Sequence, residues 1–230
     1  METLIRESLS QATEDYLKAI YELTRDHRRA STNRIADALG VTPASVTGMI
    51  KKLAEMDPPL VDYQRHQGAL LTDQGERIAL EVLRHHRLLE MYLHEKLGYA
   101  WDEVDEEAER LEHFISEAFE ERIAQALGNP SHDPHGDPIP TRDLRMPASP
   151  THVLYELRPG KVAVVHRVMD DDPKLLRYLS GLGLVPLAQV SVLAYSPFDE
   201  NLSLRISGRD EPIVLGPRIT RKIYIEVEDD

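Results

Sequence analysis

The sequence predicts a mostly α-helical N-terminal part with a winged helix-turn-helix, a second helical unit, and a small all-β barrel at the C-terminal end. Three observations predict this order. Apolar residues recur at helical spacing up to about residue 127. Prolines and glycines then crowd residues 130–150. Short runs of β-branched and apolar residues follow from Leu157 onward.

The composition excludes several kinds of site. None of the 230 residues is cysteine, which removes disulfides, thiolate zinc sites, iron-sulfur clusters and cysteine nucleophiles. Because the chain has neither a signal-peptide pattern nor a run of about 18 apolar residues, we expect a cytoplasmic protein without a membrane segment. The net charge of −13 is uneven, since residues 1–72 carry 9 basic and 10 acidic residues whereas residues 73–130 carry 6 and 15. The near-neutral N-terminal part can therefore present a basic face to DNA.

The first predicted element is a helix over residues 10 to about 29, where apolar residues recur at helical spacing. Ser10 or Thr13 suits its N-cap. Either assignment places Asp15 near the first turn.

Residues 32–55 have the pattern of a helix, a tight turn and a second helix. Gly40 suits the end of the first helix, Thr42 the N-cap of the second, and Pro43 its first position. Residues 60–71 then predict two short strands joined by a turn, which would form a wing. Together these elements predict a winged helix-turn-helix.

The second of these helices would read DNA, because a recognition helix presents its N-terminal side chains to base edges in the major groove. Small residues that suit close approach and methyl contacts are Thr42, Ala44, Ser45, Thr47 and Gly48. Expected phosphate contacts are Arg34, Lys51, Lys52 and the wing residue Arg65.

Two long helices are predicted next, over residues 73–97 and 101–127, with Gly128 closing the second. At about 100° per residue, one face of the second helix forms an apolar stripe. The stripe consists of Val104, Ala108, Leu111, Ile115, Ala118 and Phe119. Beside it, between the stripe and the outer face, lie Asp105, Glu109, Glu112 and His113.

These acids and the imidazole favour a divalent metal, because crowded carboxylates repel one another unless a cation compensates them. His86 and Glu90, four residues apart, add a second pair on the preceding helix, and Asp15 could reach the group from the first helix. Oxygen ligands with one or two imidazoles favour manganese or ferrous iron over metals that prefer thiolates. Ordinary packing or surface roles are expected for the other histidines considered, which are His94, His132, His135, His152 and His166.

The segment 130–150 is predicted to be an irregular linker. Beyond it, β-type runs at residues 161–168, 189–195, 202–206 and 222–227 surround one short helix near Pro173 to Gly181. This spacing predicts a small β-barrel of about 75 residues.

The chain resembles the diphtheria toxin repressor family of metal-dependent regulators, and particularly its manganese-responsive branch. The resemblance covers nearly the whole chain, and its C-terminal part looks like the SH3-like (FeoA-like) domain of the longer members. The motifs that carry it are Thr13-Glu-Asp15-Tyr-Leu-Lys18-Ala-Ile-Tyr-Glu22, Arg84-His-His86-Arg-Leu-Leu-Glu90, Glu109-Arg-Leu-Glu112-His113 and His135-Gly-Asp-Pro-Ile-Pro140.

The resemblance implies two metal sites. The primary site would use Asp15, Glu109, Glu112 and His113. The ancillary site would use His86, Glu90 and Asp105, with Asp170, Asp171 or, as the choice we adopt, Asp172 from the C-terminal domain. Iron-sensing members have methionine and cysteine where this chain has Asp15 and Glu109, so the carboxylates favour manganese. Lys18 stands where short manganese regulators have a glutamate ligand, which favours two separated sites over a closely spaced metal pair.

The implied domains are a winged helix-turn-helix over residues 1–72, a helical metal-binding and dimerisation domain over 73–140, a linker over 141–152 and an SH3-like domain over 153–230. The implied function is a cytoplasmic homodimer that, when loaded with Mn²⁺, binds palindromic double-stranded operator DNA and represses metal-uptake genes. Fe²⁺ or other divalent transition metals could also bind in vitro.

Three alternatives remain open. An iron-responsive repressor of the same family is the nearest alternative, and a metal-binding module without specific DNA recognition is another. A metal-dependent hydrolase is less favoured, because no nucleophile or phosphate-binding loop accompanies the acids, so no enzymatic activity is expected.

Overall fold

A computed structural model describes residues 9–25, 28–169 and 172–228. The chain divides into two compact units. The first comprises Met1–His85, Glu112–Ile115 and Pro140–Met146, and the second comprises His86–Leu111, Ser116–Ile139 and Pro147–Asp230. Among the described helices, none combines the length and the apolar character needed to span a bilayer.

Three helices open the first unit: α1 (Gln11–Leu23), α2 (Thr32–Leu39) and α3 (Pro43–Ala54). Ser10 is the N-cap of α1, and this helix ends earlier than predicted. The turn between α2 and α3 forms as predicted, since Gly40 adopts a left-handed φ of 64° and Thr42 accepts the backbone N–H of Ser45.

The wing follows as two antiparallel strands, β1 (Val61–Gln64) and β2 (Gly68–Leu71). An isolated bridge between Ala30 and Ala69 attaches the wing to the chain before α2. Gly68 has a φ of 106°, and a Cβ there would lie 2.3 Å from the carbonyl oxygen of Ala30. This close approach requires glycine at the start of β2.

Helix α4 (Asp73–Leu97) has the predicted bounds. Its residues up to His85 belong to the first unit, and those from His86 belong to the second. His85 is fully buried, and its Nδ1 lies 3.1 Å from the carbonyl oxygen of Glu112. This contact ties the segment 112–115 to α4 within the first unit.

The prediction of a single helix over residues 101–127 is wrong, because this region forms two helices, α5 (Val104–Leu111) and α6 (Glu117–Ala126). Ser116 starts α6 by accepting the N–H of Phe119. The segment between the two helices packs in the first unit. The predicted stripe is therefore buried only in its first part, and the Phe119 side chain is 48% exposed.

Residues 131–140, within the segment predicted to be an irregular linker, form a loop without a helix or strand, and this loop is well packed. Asp133, His135 and Ile139 are buried there, and a bridge joins His132 to Pro138. The proline and glycine residues prevent a helix or strand, but they do not prevent burial. The loop can therefore carry functional side chains.

The C-terminal part of the second unit is a five-stranded antiparallel sheet in the order β6-β5-β4-β3-β7. The strands are β3 (Val162–Val168), β4 (Gln189–Tyr195), β5 (Leu202–Ile206), β6 (Ile213–Leu215) and β7 (Ile223–Val227). A short 3₁₀ turn (Leu154–Glu156) and helices α7 (Pro173–Leu182) and α8 (Pro217–Thr220) accompany them. Four of the strands and α7 match the predicted runs, whereas the three-residue β6 and the four-residue α8 are too short for a periodic signal.

We predict opposite effects for two glycine substitutions in the first unit. A Cβ at Gly75, in the first turn of α4, would lie 2.0 Å from the carbonyl oxygen of Leu60, whereas a Cβ at Gly48 in α3 would meet no atom within 4 Å. Gly75→Ala should lower the free energy of unfolding by about 1–3 kcal/mol through overpacking. Gly48→Ala should raise it by up to about 1 kcal/mol through helix propensity. Urea denaturation followed by circular dichroism measures both, and a neutral Gly75→Ala would contradict the packing of α4 on Leu60.

Candidate metal centre

Side chains of α1 and of the segment 112–115 meet in what we call the first cluster: Asp15, Glu112 and His113. His113 Nε2 lies 2.9 Å from Asp15 Oδ1 and 3.5 Å from Glu112 Oε1. Glu112 is fully buried, and one potential ligand atom from each residue lies within 4.8 Å of the others. One cation could therefore contact all three side chains.

A further carboxylate contacts the other ring nitrogen of His113. Nδ1 of His113 lies 2.6 Å from Oε2 of the buried Glu14. Burial opposes protonation of His113, but its hydrogen bonds to Asp15 and Glu14 and the charge of Glu112 outweigh burial and raise its pKa to about 9. With Nδ1–H donating to Glu14, Nε2 faces the other members of the first cluster. Glu14 was not predicted, because a glutamate in a first helical turn has no spacing that separates it from a solvated acid.

Lys18, which lies on α1 like Asp15, contacts the first cluster. Its Nζ donates to Glu112 Oε1 at 2.7 Å, and little of the lysine side chain is exposed. The ammonium therefore compensates the buried charge of Glu112. Asp15 Oδ1 is buried as well, and its described partner is the nearby Nε2 of His113, so a cation bound there would replace that contact.

In the second unit, His86, Glu90, Asp105, Asp133 and His135 form what we call the second cluster. His86 Nε2 lies 3.5 Å from Glu90 Oε1 and 3.4 Å from Asp105 Oδ1. Glu90 and His86 are buried, whereas about half of the Asp105 side chain is exposed. The structure thus brings together the three side chains predicted for the ancillary site.

The loop of residues 131–140 supplies the remaining two members. His135 Nδ1 lies 3.4 Å from Glu90 Oε1, and His135 Nε2 lies 2.7 Å from the carbonyl oxygen of Trp101. Potential ligand atoms of Glu90, Asp133 and His135 all lie within 4.8 Å of one another. His135 was expected to be a packing residue and Asp133 was not singled out, because a loop without periodicity gives no signal for which side chains it buries.

The charges in the second cluster shift one another's protonation. Burial alone would raise the pKa of Glu90, but the nearby His86 and His135 lower it below its usual range. Burial opposes protonation of His135 as well, yet Glu90 and Asp133 raise its pKa to about 9. Burial and the charges of Glu90 and Asp137 raise the pKa of Asp133 to about 8. An additional positive charge would relieve this crowding of carboxylates.

Two predicted ligands lie elsewhere among the described contacts. Glu109 belongs to the second unit, where its Oε2 lies 3.7 Å from His86 Nδ1. Asp172 is exposed and caps α7 by accepting the N–H of Lys174 at 2.9 Å, so it stands outside the second cluster. Asp170 and Asp171 lie outside the described residues.

The chemistry of both clusters fits a hard divalent metal. Every candidate ligand atom is a carboxylate oxygen or an imidazole nitrogen, and thiolates are excluded because the chain has no cysteine. Manganese and ferrous iron bind such mixed sets well.

Helix α3 presents a polar surface consistent with the predicted DNA contacts. Its exposed predicted residues, including the N-cap, are Thr42, Ala44, Ser45, Gly48, Lys51 and Lys52, whereas Thr47 is partly buried and bonds the carbonyl oxygen of Pro43 at 2.9 Å. Arg65 is exposed in the turn of the wing, and the exposed Arg34 donates to the carbonyl oxygen of Leu23 at 3.3 Å.

Comparison with protein families gives three matches along the chain. Residues 8–69 match the N-terminal DNA-binding domain of iron-dependent repressors, and residues 72–141 match their metal-binding and dimerisation domain. Residues 152–227 match the FeoA domain. These matches confirm the predicted fold class of a winged helix-turn-helix and a helical domain followed by an SH3-like domain.

Individual relatives extend over most of the chain. The iron-dependent repressor IdeR of Mycobacterium leprae is 36% identical over 197 residues, which cover 80% of this chain and 84% of the relative. A solved manganese-dependent transcriptional repressor in complex with manganese shares 38% identity and a TM-score of 0.84, covering 94% of this chain and 100% of that one. The structure of ScaR with bound Cd²⁺ shares 36% identity and a TM-score of 0.77, covering 93% and 98%.

The relatives are transcriptional repressors rather than enzymes, in agreement with the expectation of no enzymatic activity. The predicted family is likewise confirmed, because the identity and coverage extend through the DNA-binding, metal-binding and FeoA regions together. This chain belongs to the iron-dependent repressor family of metal-dependent transcriptional regulators, which includes the diphtheria toxin repressor.

Proposed function

We propose that the protein is a manganese-dependent repressor that acts in the cytoplasm as a homodimer on palindromic operator DNA and controls metal-uptake genes. The observation that carries this proposal is the pair of clusters built only from carboxylates and imidazoles. Solved relatives described as manganese-dependent support the choice of metal. The proposed domain boundaries, 1–72, 73–140, 141–152 and 153–230, are close to the ranges of the three family matches.

In this proposal the first cluster is the switch. A bound divalent cation would supply the positive charge that lets several carboxylates share one centre. Asp15 would contribute from α1, and Glu112 and His113 from the segment directly after α5. His113 would offer Nε2 while Glu14 accepts the Nδ1 proton. Glu109 stays a predicted fourth ligand from the sequence.

The switch would act on the DNA-reading helix through α1. Buried residues of α1, α2 and α3, including Ile20, Ile35 and Ile50, belong to one apolar core, so a constraint on α1 reaches α3 through packed side chains. Metal would favour the arrangement of α3 that suits two operator half-sites in a dimer. When the metal dissociates, only a minority of molecules would keep the arrangement of α3 that suits the operator.

The second cluster is proposed as a separate ancillary site with His86, Glu90 and Asp105. We propose Asp133 and His135 as further members, because their potential ligand atoms lie within 4.8 Å of one on Glu90. Asp172 is left out of the proposal, because its carboxylate caps α7. Glu90 lies at the centre of this site and is buried together with His86, Asp133 and His135. Two ions per chain are therefore expected.

An iron-responsive repressor is the second candidate, since relatives named iron-dependent share 35–36% identity over about 80% of the chain. The carboxylates at positions 15 and 109 favour manganese in this comparison, because they are harder ligands than methionine and cysteine.

We expect Mn²⁺ to tighten operator binding by roughly 5- to 150-fold, as is typical of allosteric coupling. Fluorescence anisotropy on a DNA duplex selected from a random library with Mn²⁺ present measures this. His113→Ala should abolish the response, whereas His152→Ala, at an exposed histidine just before the C-terminal domain, should retain it. Equal operator affinity with and without Mn²⁺ would contradict the switch. A normal metal response in His113→Ala would contradict the assignment of the first cluster. A larger response to Fe²⁺ than to Mn²⁺, at equal free concentration and without oxygen, would favour an iron-responsive repressor.

We expect Lys18→Met to lower the thermal stability of the metal-free protein and to lower its Kd for Mn²⁺. The substitution removes the ammonium that compensates the buried Glu112, and breaking such a pair costs about 3–5 kcal/mol. It also removes a cation that competes for Glu112 Oε1. Thermal unfolding should show a loss of stability that saturating Mn²⁺ restores, and calorimetry should show a lower Kd for Mn²⁺. Lys18→Arg, which keeps the charge, is the control, and a higher Kd in Lys18→Met means that the lysine supports metal binding instead.

We expect Lys51→Ala to weaken DNA binding similarly for all sequences, because a phosphate contact carries no sequence information. The slope of log K against log salt should fall in magnitude by about 1. Lys174→Ala, at an exposed lysine of α7, is the matched control. An unchanged slope would exclude Lys51 as a phosphate contact.

A further inference from the structure

The loop that brings Asp133 and His135 into the second cluster contacts two other parts of the second unit, helix α4 and strand β3. We call residues 131–139 the ligand loop. Its internal structure is fixed by Asp133, whose Oδ1 accepts the backbone N–H groups of His135 and Asp137, both at 2.9 Å. One carboxylate oxygen of Asp133 thus shapes the loop.

On one side, α4 holds the ligand loop through a buried arginine. Arg87 donates to the carbonyl oxygen of Pro138 at 2.5 Å, and its Nε lies 3.6 Å from Asp133 Oδ2. Arg87 lies between His86 and Glu90 on the same helix, so one helical turn carries both a loop anchor and two members of the second cluster.

On the other side, the ligand loop is held by strand β3. The backbone N–H of Val168 donates to the carbonyl oxygen of His135 at 2.9 Å. Arg167 donates to Asp137 Oδ1, also at 2.9 Å. Gly136 packs so closely that a Cβ there would lie 2.0 Å from the carbonyl oxygen of His166. Three successive residues of β3 therefore contact the three residues that follow Pro134.

The sheet is shaped for this contact. The pairing of β3 with β7 shifts register between Val165 and Arg167, and the consecutive residues Arg167 and Val168 are both buried. A bulge of this kind turns a side chain away from the regular alternation of a strand. The guanidinium of Arg167 lies 4.1 Å from the ring centre of Tyr224 on β7, which fixes its direction.

We propose that strand β3 is a structural part of the second metal site, and that Arg167 is the positioning residue through which the C-terminal domain sets the geometry of Asp133 and His135. The proposal deepens the proposed function and rests on its second cluster. Through β3 the C-terminal domain contributes these contacts to the ligand loop. Arg167 and Arg87 both contact Asp137 Oδ1, at 2.9 and 3.5 Å, and these contacts hold the loop so that His135 stays within reach of Glu90.

Arg221 offers a matched control on the same domain. Its guanidinium lies 4.2 Å from the ring centre of Tyr155, nearly the same distance as in the Arg167 and Tyr224 pair. Its described ion pair is with Glu200, and it is exposed, whereas Arg167 is buried and contacts the ligand loop. Substituting each arginine in turn separates the effect of losing the loop contact from the effect of losing an arginine stacked on a tyrosine.

The experiment measures Mn²⁺ binding by calorimetry in full-length His113→Ala protein, which retains only the second cluster. We expect one ion per chain in this background. Adding Arg167→Leu should raise the Kd at least tenfold, within the roughly 10- to 100-fold range of residues that orient metal ligands. Arg167→Lys should recover part of the affinity, and Arg221→Leu should leave the Kd unchanged.

The outcomes are distinguishable. If His113→Ala protein binds no Mn²⁺, the second site of the proposed function fails, and this inference fails with it. If it binds one ion and Arg167→Leu leaves the Kd unchanged, the inference alone is overturned. Equal losses of thermal stability with and without Mn²⁺ would show a purely structural role for Arg167. If Arg167→Leu does not fold, the difference between Arg167→Lys and Arg221→Leu decides the question.

Discussion

Buried carboxylates need compensating positive charge, and both clusters are organised by that constraint. Glu112 has no exposed surface and is paired with Lys18, while His113 lies between Glu14 and Asp15. An isolated carboxylate at such depth would be protonated or would unfold its surroundings. Each cluster therefore combines acids with nitrogen bases, and the same acids are the groups that a divalent ion would bind.

The fold places these acids by interrupting regular structure. The chain leaves the helical path between α5 and α6, which buries Glu112 in the first unit while α5 itself belongs to the second. An uninterrupted helix would leave these side chains on its flank instead of enclosing them. The ligand loop does the same for Asp133 and His135, since its turns replace the direction that a helix or strand would impose. Irregular backbone here is well packed and buries candidate metal ligands.

Much of this architecture was predictable, and the errors have identifiable causes. Gly40 and the residues after it specify a tight turn by local chemistry alone, so the helix-turn-helix followed from the sequence. The break before Ser116 was missed because the apolar and acidic pattern continues through it, although serine is a strong N-cap. The contact of His135 with Glu90 was not predicted, because the position of a loop side chain depends on contacts such as that with Val168, which lies more than thirty residues away. Glu14 was missed because neighbouring acids in one helical turn look alike until their partners are known.

The pairing of Lys18 with Glu112 has a consequence for the lifetime of the regulator. A chain that carries its own counter-ion in the first cluster can stay folded when manganese is scarce. It would then persist as a resting pool and escape the proteolysis that removes unfolded chains. A cell that uses such a regulator can respond to returning manganese at the rate of ion binding, without waiting for new synthesis of the protein.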